Sequence, residues 1–180
     1  MATKQAFVYS GSWSDETRAQ PVLKFLEWYT TTIIDEKKFD LSPTDAGMTK
    51  DWVLQKSTGE VIEGADKAWP ALKEAYAPFK EHVHAPTFVV QWETENGWSM
   101  VGVANLWWKL QADGNDVIKG HGGKMWDGVT PGAFRFDFTK SEHGHEGIAL
   151  TRTEIYDDPT QAVVKMLQRG MLKPEQLMQS

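Results

Sequence analysis

Two consecutive segments near the middle of the chain alternate apolar and polar residues. The segments HAPTFVVQWET and SMVGVANLWWK have the composition of β-strands and are joined by the tetrapeptide ENGW. Asn-Gly is the strongest short signal for a two-residue hairpin turn, because both turn residues take positive φ. The pattern therefore predicts a long β-hairpin over residues 82–109, with Asn96 and Gly97 in the turn and Trp98 opposite Glu95.

This register assigns each side chain of the hairpin to one of two faces, since side chains alternate along a strand. We predict that the inward face carries two polar groups among apolar ones: His84, Phe88, Val90, Trp92, Val101, Val103, Asn105 and Trp107. The opposite face is also too apolar for a solvated surface. We predict that a second subunit covers its residues: Val89, Met100, Ala104, Leu106 and Trp108.

Helices are predicted before and after a second, shorter hairpin. Residues 18–34 place apolar side chains at steps of four, three and four, the spacing of an amphipathic helix: Val22, Leu26, Tyr29 and Ile33. The segment WVLQ-KSTG-EVIEG predicts the short hairpin. Residues 65–79 predict another helix, in which Pro70 needs to lie near the start and which Pro78 ends.

The C-terminal third predicts two strands and a helix. The segment AFRFDFTK alternates Phe with charged residues, as a half-buried strand does, and GIALTRTEIYDD follows after the polar loop SEHGHEG. Arg152 and Glu154 share one face of that last strand, so we expect an ion pair on the outer surface. Asp158 is a helix N-cap residue, which predicts a helix from Pro159 to Arg169.

Composition excludes several classes of protein. The 180 residues fit one domain, and 41% hydrophobic and 24% charged residues are typical of globular proteins. A net charge of −6 without a basic run argues against nucleic acid as a partner. The absence of Cys excludes disulfides and thiolate zinc sites. No stretch approaches about 20 apolar residues, so we expect no membrane span and a cytoplasmic protein.

Three segments in this order resemble the NTF2-like superfamily, and within it the SnoaL-like proteins. FLEWYTTTIIDEKKFD is similar to the first helix of that family with its trailing Asp. STGEVIEGADKAW is similar to its strand end and second helix, and TRTEIYDD to its closing strand. The likeness covers most of residues 18–158, and the helix over 159–169 would extend this common core within a single domain, 1–180.

The resemblance implies an α+β cone, in which a strongly curved and mostly antiparallel sheet wraps around the N-terminal helices. It also implies frequent homodimerisation through the outer sheet face. Different members use the inner pocket as dehydratase, isomerase, cyclase, epoxide hydrolase or plain binding site. One activity does not follow from the fold.

Three polar residues are candidates for chemistry in such a pocket. Asn105, on the face predicted to be inward, could hold a substrate oxygen, or it could bond a neighbouring backbone group or a buried water. His84 could move a proton at physiological pH, or be a structural histidine near the pocket mouth. His121 lies among three glycines that could open space around it, or at an exposed corner.

Aromatic side chains would shape the pocket and bind the substrate: Tyr29, Trp69, Tyr76, Phe88, Trp92 and Trp107. Members similar to scytalone dehydratase use His, Tyr, Asn and Ser side chains, but matching residue types are not a motif, and no catalytic residue is transferred from them. His82 and His84 could be a pair of metal ligands. No third ligand follows at a supporting spacing, so we expect no metal and no cofactor.

The leading hypothesis from the sequence is a cofactor-free lyase, isomerase or cyclase. It would act by general acid/base chemistry on a small apolar or aromatic oxygenated metabolite. The alternative is a non-catalytic ligand-binding or dimerisation module of the same fold. Histidines that converge on one cavity would favour the enzyme.

Overall fold

The computed structural model describes residues 6–177 as one curved sheet packed on helices, with a small second sheet. The strands are β1 (Phe7–Ser10), β2 (Met48–Gln55), β3 (Val61–Glu63), β4 (Phe79–Glu93), β5 (Gly97–Leu110), β6 (Ile118–Lys119), β7 (Met125–Trp126), β8 (Gly128–His145) and β9 (Ile148–Asp157). The α-helices are α1 (Asp15–Arg18), α2 (Pro21–Trp28), α3 (Ala65–Tyr76), α4 (Thr160–Gln168) and α5 (Pro174–Leu177). A π-helix spans Tyr29–Ile34 and a 3-10 turn spans His121–Gly123.

The main sheet has seven strands in the order β1-β4-β5-β8-β9-β2-β3. Its pairs are antiparallel except for β2 and β9, which run parallel. Strands β6 and β7 pair separately. The predicted α+β architecture, with a mostly antiparallel sheet around N-terminal helices, is confirmed.

The core lies between α2, α3 and the inner face of the sheet. The helices bury one side: Val22, Leu23, Phe25 and Leu26 on α2, and Ala65, Ala68, Trp69, Leu72 and Tyr76 on α3. Large side chains of β2 and β5 pack against these helices. Trp52 and Trp108 are two of them, and both are fully buried. Burial of such apolar area is the main force that holds the helices in the sheet.

The first predicted helix consists of three helical segments. Ser14 and Thr17 form a capping box that starts α1. Gln20 is extended because it precedes Pro21, and Pro21 then opens α2 at a position where its missing N–H costs nothing. In the second helix, Pro70 lies inside α3 rather than near its start, which corrects that expectation.

The turn of the long hairpin differs from the prediction. Glu93 pairs with Trp98, and the Thr94 N–H donates to the Gly97 carbonyl at 2.9 Å, so the turn is centred one residue earlier than Asn96-Gly97. Neither Asn96 nor Gly97 has positive φ. A Cβ on Gly97 would lie 2.0 Å from the Phe138 carbonyl oxygen, so this glycine permits close packing against β8.

The predicted faces of the hairpin are wrong from Phe88 onward. Phe88, Val101 and Val103 are 37%, 38% and 36% exposed and lie on the convex face. The residues assigned to a partner subunit are instead buried in the core: Val89, Met100, Ala104, Leu106 and Trp108. A second subunit therefore cannot cover that set.

A β-bulge explains why His84 lies on the inner face although Phe88 does not. Pro86 pairs with Ala104 but Phe88 pairs with Val103, so Thr87 is an extra residue on β4. One extra residue reverses the alternation of faces along a strand. His84, on the other side of the bulge, pairs with Leu106 and shares its inner face.

The segment predicted as the loop SEHGHEG is largely strand. Strand β8 continues to His145, and only Glu146 and Gly147, with φ of 51° and 83°, turn the chain into β9. The His145 ring stacks on Trp28 with centroids 3.6 Å apart. This contact fixes the end of the hairpin on α2. On β9, Arg152 bonds Glu154 as predicted, but the Glu154 side chain is only 6% exposed, so the pair is not a solvated surface pair.

Buried charges fix the C-terminal helix. The Arg169 guanidinium, just after α4, lies 2.8 Å from the Asp127 carboxylate and donates to the Ala112 carbonyl, and both ionised side chains are 7% exposed. The observed helix is one residue shorter at each end than predicted. Among residues 6–177, no helix combines the length and apolar character needed to cross a membrane.

We predict that Arg169→Met lowers the free energy of unfolding by about 3 kcal/mol, because it leaves the buried Asp127 carboxylate without its cation. Urea denaturation measures the change. The matched control is Arg18→Met, which removes an Arg 47% exposed in its pair with Glu27 and should cost at most about 1 kcal/mol. Equal losses in the two variants would contradict this account of α4.

Candidate active site

A cavity of about 70 Å³ lies between the helices and the inner face of the sheet. Most of its lining is apolar and comes from α2, α3, β5 and β8. Its polar groups are few: Tyr29, Thr30, Tyr76, His84 and Thr153. Ligand pockets in proteins commonly combine an apolar wall with a few convergent polar groups.

The π-helix brings Asp35 to this cavity wall. The Asp35 N–H donates to the Thr30 carbonyl at 2.9 Å, five residues back, which is the π-helical spacing. Thr30 and Ile34 of this segment line the cavity. Asp35 follows as the residue that ends the π-helix. Single-turn π-helices of this kind occur frequently at functional sites.

Asp35, His84 and Tyr76 form a hydrogen-bonded line. Asp35 Oδ1 lies 2.7 Å from His84 Nδ1, and the Asp35 carboxylate also accepts the backbone N–H of His84 at 3.2 Å. His84 Nε2 lies 3.1 Å from the Tyr76 hydroxyl. Because a carboxylate only accepts, Nδ1 carries the ring proton, and the Nε2 lone pair accepts a hydrogen bond from the Tyr76 hydroxyl.

Burial controls the ionisation of the tyrosines. It raises the pKa of Tyr29 and that of Tyr76 above the ordinary value, and for Tyr76 the negative charges of neighbouring groups add to the effect. Both phenols therefore keep their protons at physiological pH. The Tyr76 hydroxyl donates to His84 Nε2, and the Tyr29 hydroxyl can donate to an oxygen atom of a ligand in the cavity.

His82 lies behind His84 and is buried, with no exposed side-chain surface. Burial lowers the pKa of His82 to about 3. Repulsion by His84 and Lys37 lowers this pKa further, and a contact with the Ile34 backbone raises it slightly. That contact falls short of hydrogen-bond geometry, and neither ring nitrogen has a partner within residues 6–177. Its Nε2 lies 3.9 Å from Asp35 Oδ1.

Four of the residues singled out in the sequence line the cavity: Tyr29, Tyr76, Phe88 and His84. Five do not: Trp69, Trp92, Asn105, Trp107 and His121. Asn105 pairs with Ala85 and Pro131 and is half-buried on the convex side, because its β5 neighbours Ala104 and Leu106 take the inner face. His121 is exposed in the 3-10 turn, the corner that was the alternative for this residue.

Trp69 and Trp107, which do not line the cavity, make contacts that support the fold. Trp69 Nε1 donates to the Leu41 carbonyl at 3.0 Å, which ties α3 to the preceding loop. Trp107 packs over Gly120, where a Cβ would lie 2.0 Å from its ring. The glycine beside His121 therefore makes room for Trp107 and not for an inward histidine.

Asp35 is the functional candidate that sequence reasoning missed. Its place directly after the first predicted helix is typical of a turn or cap residue, and it lies 49 positions from His84. The His-x-His spacing on a predicted strand was a signal that His82 and His84 share a face. No sequence pattern indicated that a carboxylate would meet them.

A second cavity of about 210 Å³ lies beside the first, toward α4. Tyr76, Phe134 and Ile155 line both cavities. Ala162 and Met166 of α4 form part of its wall, and Lys56, Ser57 and Asp157 contribute polar groups. His84 borders only the smaller cavity, so the proton-transfer groups belong there.

No family model and no curated protein matches the sequence. Solved structures match in fold. A candidate SnoaL-like polyketide cyclase from Shewanella putrefaciens CN-32 is 13% identical, with 86% of this chain and 88% of that chain covered and a TM-score of 0.54. A candidate scytalone dehydratase from Novosphingobium aromaticivorans DSM 12444 is 11% identical, with 81% and 89% covered and a TM-score of 0.54.

Nuclear transport factor 2 from Cryptosporidium parvum is similar as well. It is 12% identical, the match covers 84% of this chain and 100% of that chain, and the TM-score is 0.51. At such identities the likeness concerns the fold alone, and the activities in these names belong to those proteins.

We predict that Asp35→Asn removes the proton signal of His84 Nδ1–H from histidine-selective ¹H–¹⁵N NMR spectra, because the carboxylate that holds this proton is lost. Wild type should show a downfield signal that exchanges slowly with solvent. Asp40→Asn, which breaks only the exposed contact of Asp40 with Lys73, is the control and should keep the signal. A signal that persists in Asp35→Asn would contradict the assigned pair.

Proposed function

The chain has the NTF2-like fold, and on this premise we propose that its smaller cavity is the active site of an enzyme that moves a proton on a small apolar or aromatic oxygenated molecule. One observation carries the proposal: Asp35 and His84, with Oδ1 and Nδ1 2.7 Å apart, form a pair at the wall of an apolar cavity. A histidine oriented by a carboxylate is a general base.

His84 Nε2 is the atom that takes the proton. Asp35 holds the ring by Nδ1 and stabilises the imidazolium that forms when Nε2 is protonated. The apolar surroundings strengthen this attraction relative to water. Asp35 is therefore a positioning residue, and His84 is the catalytic residue that touches the substrate.

The tyrosines take the part that the sequence assigned to Asn105. Tyr29 lines the cavity and stays protonated, so its hydroxyl can donate to a substrate carbonyl or hydroxyl oxygen, and the Tyr76 hydroxyl can do so once Nε2 has taken the substrate proton. Negative charge that develops on this oxygen during proton abstraction is stabilised by such donors. Phe134 and Phe136 form an apolar wall that suits a flat ligand.

The reaction class follows from the proton balance. The proton taken by His84 is returned either to the oxygen that leaves, which is a dehydration, or to another atom of the same substrate, which is an isomerisation or cyclisation. Neither course needs an oxidant or a reductant. A lyase, isomerase or cyclase that works with side chains alone is the function that this site supports best.

A test of the base does not need the natural substrate. 5-Nitrobenzisoxazole is small, flat and apolar, and a base that removes its ring C–H proton opens the N–O bond to give a coloured phenolate. We predict turnover by the wild type, and a fall in kcat/KM of at least about 100-fold in His84→Gln. Asp35→Asn should lower kcat/KM at least about 10-fold, because the ring loses its orientation.

His121→Gln is the matched control, since this histidine is exposed and lies outside the cavity. It should keep the wild-type rate. If wild type and His84→Gln turn over the probe equally slowly while the phenolate still binds and quenches tryptophan fluorescence, the alternative of a non-catalytic binding module is supported instead.

We also propose that the convex face of the sheet binds a second copy of this chain. Phe88, Val101 and Val103 form an exposed apolar patch on β4 and β5. Charged side chains of β8 and β9 border it: Arg135, Asp137, Arg152 and Glu154. An apolar centre with a polar rim is the usual anatomy of an interface.

We predict that Val101→Glu, at a valine that is 38% exposed and does not line the smaller cavity, makes the protein monomeric, because a carboxylate in the apolar patch would lose its hydration on association. Light scattering coupled to size-exclusion chromatography measures the mass. Val164→Glu, at an exposed valine of α4 away from this face, is the control and should stay dimeric. A wild type that is monomeric at high concentration would contradict the proposal.

A further inference from the structure

Three potential metal ligands converge beside the smaller cavity. One ligand atom from each of Asp35, His82 and His84 lies within 4.8 Å of the others. The two histidines are two positions apart on β4, so both side chains point to the inner face. Asp35 joins them from the end of the π-helix. The missing third ligand, on which the expectation of no metal rested, is thus supplied by the fold.

We propose that Asp35, His82 and His84 bind a divalent ion of the zinc class, and that the bound ion blocks His84 as a base. Two imidazoles and one carboxylate are the donor set of many three-ligand zinc sites, in which a fourth position stays open for water or another small ligand. Binding of the ion depends only on the three side chains, whereas its effect on the base rests on the proposed function.

The distances suit such an ion with small movements. Zinc bonds of about 2.0–2.1 Å in tetrahedral geometry separate neighbouring ligand atoms by roughly 3.4 Å. Asp35 Oδ1 lies 2.7 Å from His84 Nδ1 and 3.9 Å from His82 Nε2. One separation must lengthen and the other shorten, each by less than about 1 Å, and rotation of side chains suffices for this.

His82 is the observation that points beyond a hydrogen-bonded pair. Its side chain is fully buried, both ring nitrogens lack a hydrogen-bond partner within residues 6–177, and Nε2 is directed toward the Asp35 carboxylate. Buried polar groups without partners are rare and costly. A metal ion between His82 and Asp35 would satisfy this nitrogen, whereas the Asp35–His84 pair alone does not.

The surroundings also provide the outer hydrogen bonds that metal ligands need. Tyr76 contacts His84 through Nε2, the ring nitrogen that would not bind the ion, at 3.1 Å. The His84 backbone N–H donates to the Asp35 carboxylate at 3.2 Å. Such partners orient ligands, and their loss typically weakens metal binding by about 10–100-fold.

The ion and the proton compete for one atom. In the metal-free protein, His84 Nδ1 carries the ring proton and donates it in a hydrogen bond to Asp35. When an ion binds Nδ1, this proton moves to Nε2, so the lone pair that would act as the base is lost, and the ion also neutralises the carboxylate that would stabilise the imidazolium. The metal-free protein is therefore the form with a working base.

Titration of chelator-treated protein with Co²⁺ tests the site directly, because four-coordinate Co²⁺ absorbs visible light far more strongly than the hydrated ion. We predict an intense visible band that saturates at one Co²⁺ per chain and that Zn²⁺ abolishes. His82→Phe keeps a ring stacked on Tyr76 but has no ligand atom, and it should weaken Co²⁺ binding at least about 100-fold. Tyr76→Phe should weaken it about 10-fold.

His121→Phe is the control and should bind Co²⁺ as the wild type does, because this histidine is exposed and distant from the cluster. Circular dichroism checks the fold of each variant, and Asp35→Asn replaces His82→Phe if the latter does not fold. A wild type without the intense band, or an unchanged band in His82→Phe, would overturn the proposal. Because the readout is absorbance, it is separate from turnover of the benzisoxazole.

Discussion

The site depends on one contact between the helical layer and the sheet. The Asp35 carboxylate, only 10% exposed, accepts hydrogen bonds from both the ring and the backbone N–H of His84. A buried carboxylate without donors would be costly, so these bonds fix the end of the π-helix on β4. The same bonds set the orientation of the imidazole. The same hydrogen bonds therefore hold the end of the π-helix against β4 and orient the His84 ring.

Much of the fold could be predicted from local pattern, and the errors have identifiable causes. Alternation and turn residues located both hairpins, and the proline after Asp158 marked the last helix. Alternation failed at Thr87, since a one-residue bulge leaves no mark in a strand whose two faces are both apolar. Val101 and Val103 look like core residues, and only the complete sheet shows that Met100 and Leu106 occupy the core instead.

The candidate site was predictable only in part for a related reason. His84 and Tyr76 were found because their residue types and elements pointed inward. Asp35 was not, since a contact over 49 positions has no local signature and the π-helix that delivers it reads as ordinary helix. Asn105 and His121 looked functional because a polar residue among apolar or glycine neighbours is conspicuous, but each has a place outside the cavity.

The wall between the two cavities has a consequence for the range of ligands. Tyr76, Phe134 and Ile155 line both spaces, so these three residues separate the two cavities. Such a wall can be opened by a rotamer change or a smaller residue while the strands stay in place. Ligand length is therefore a property of three side chains, and selection could alter it without rebuilding the fold.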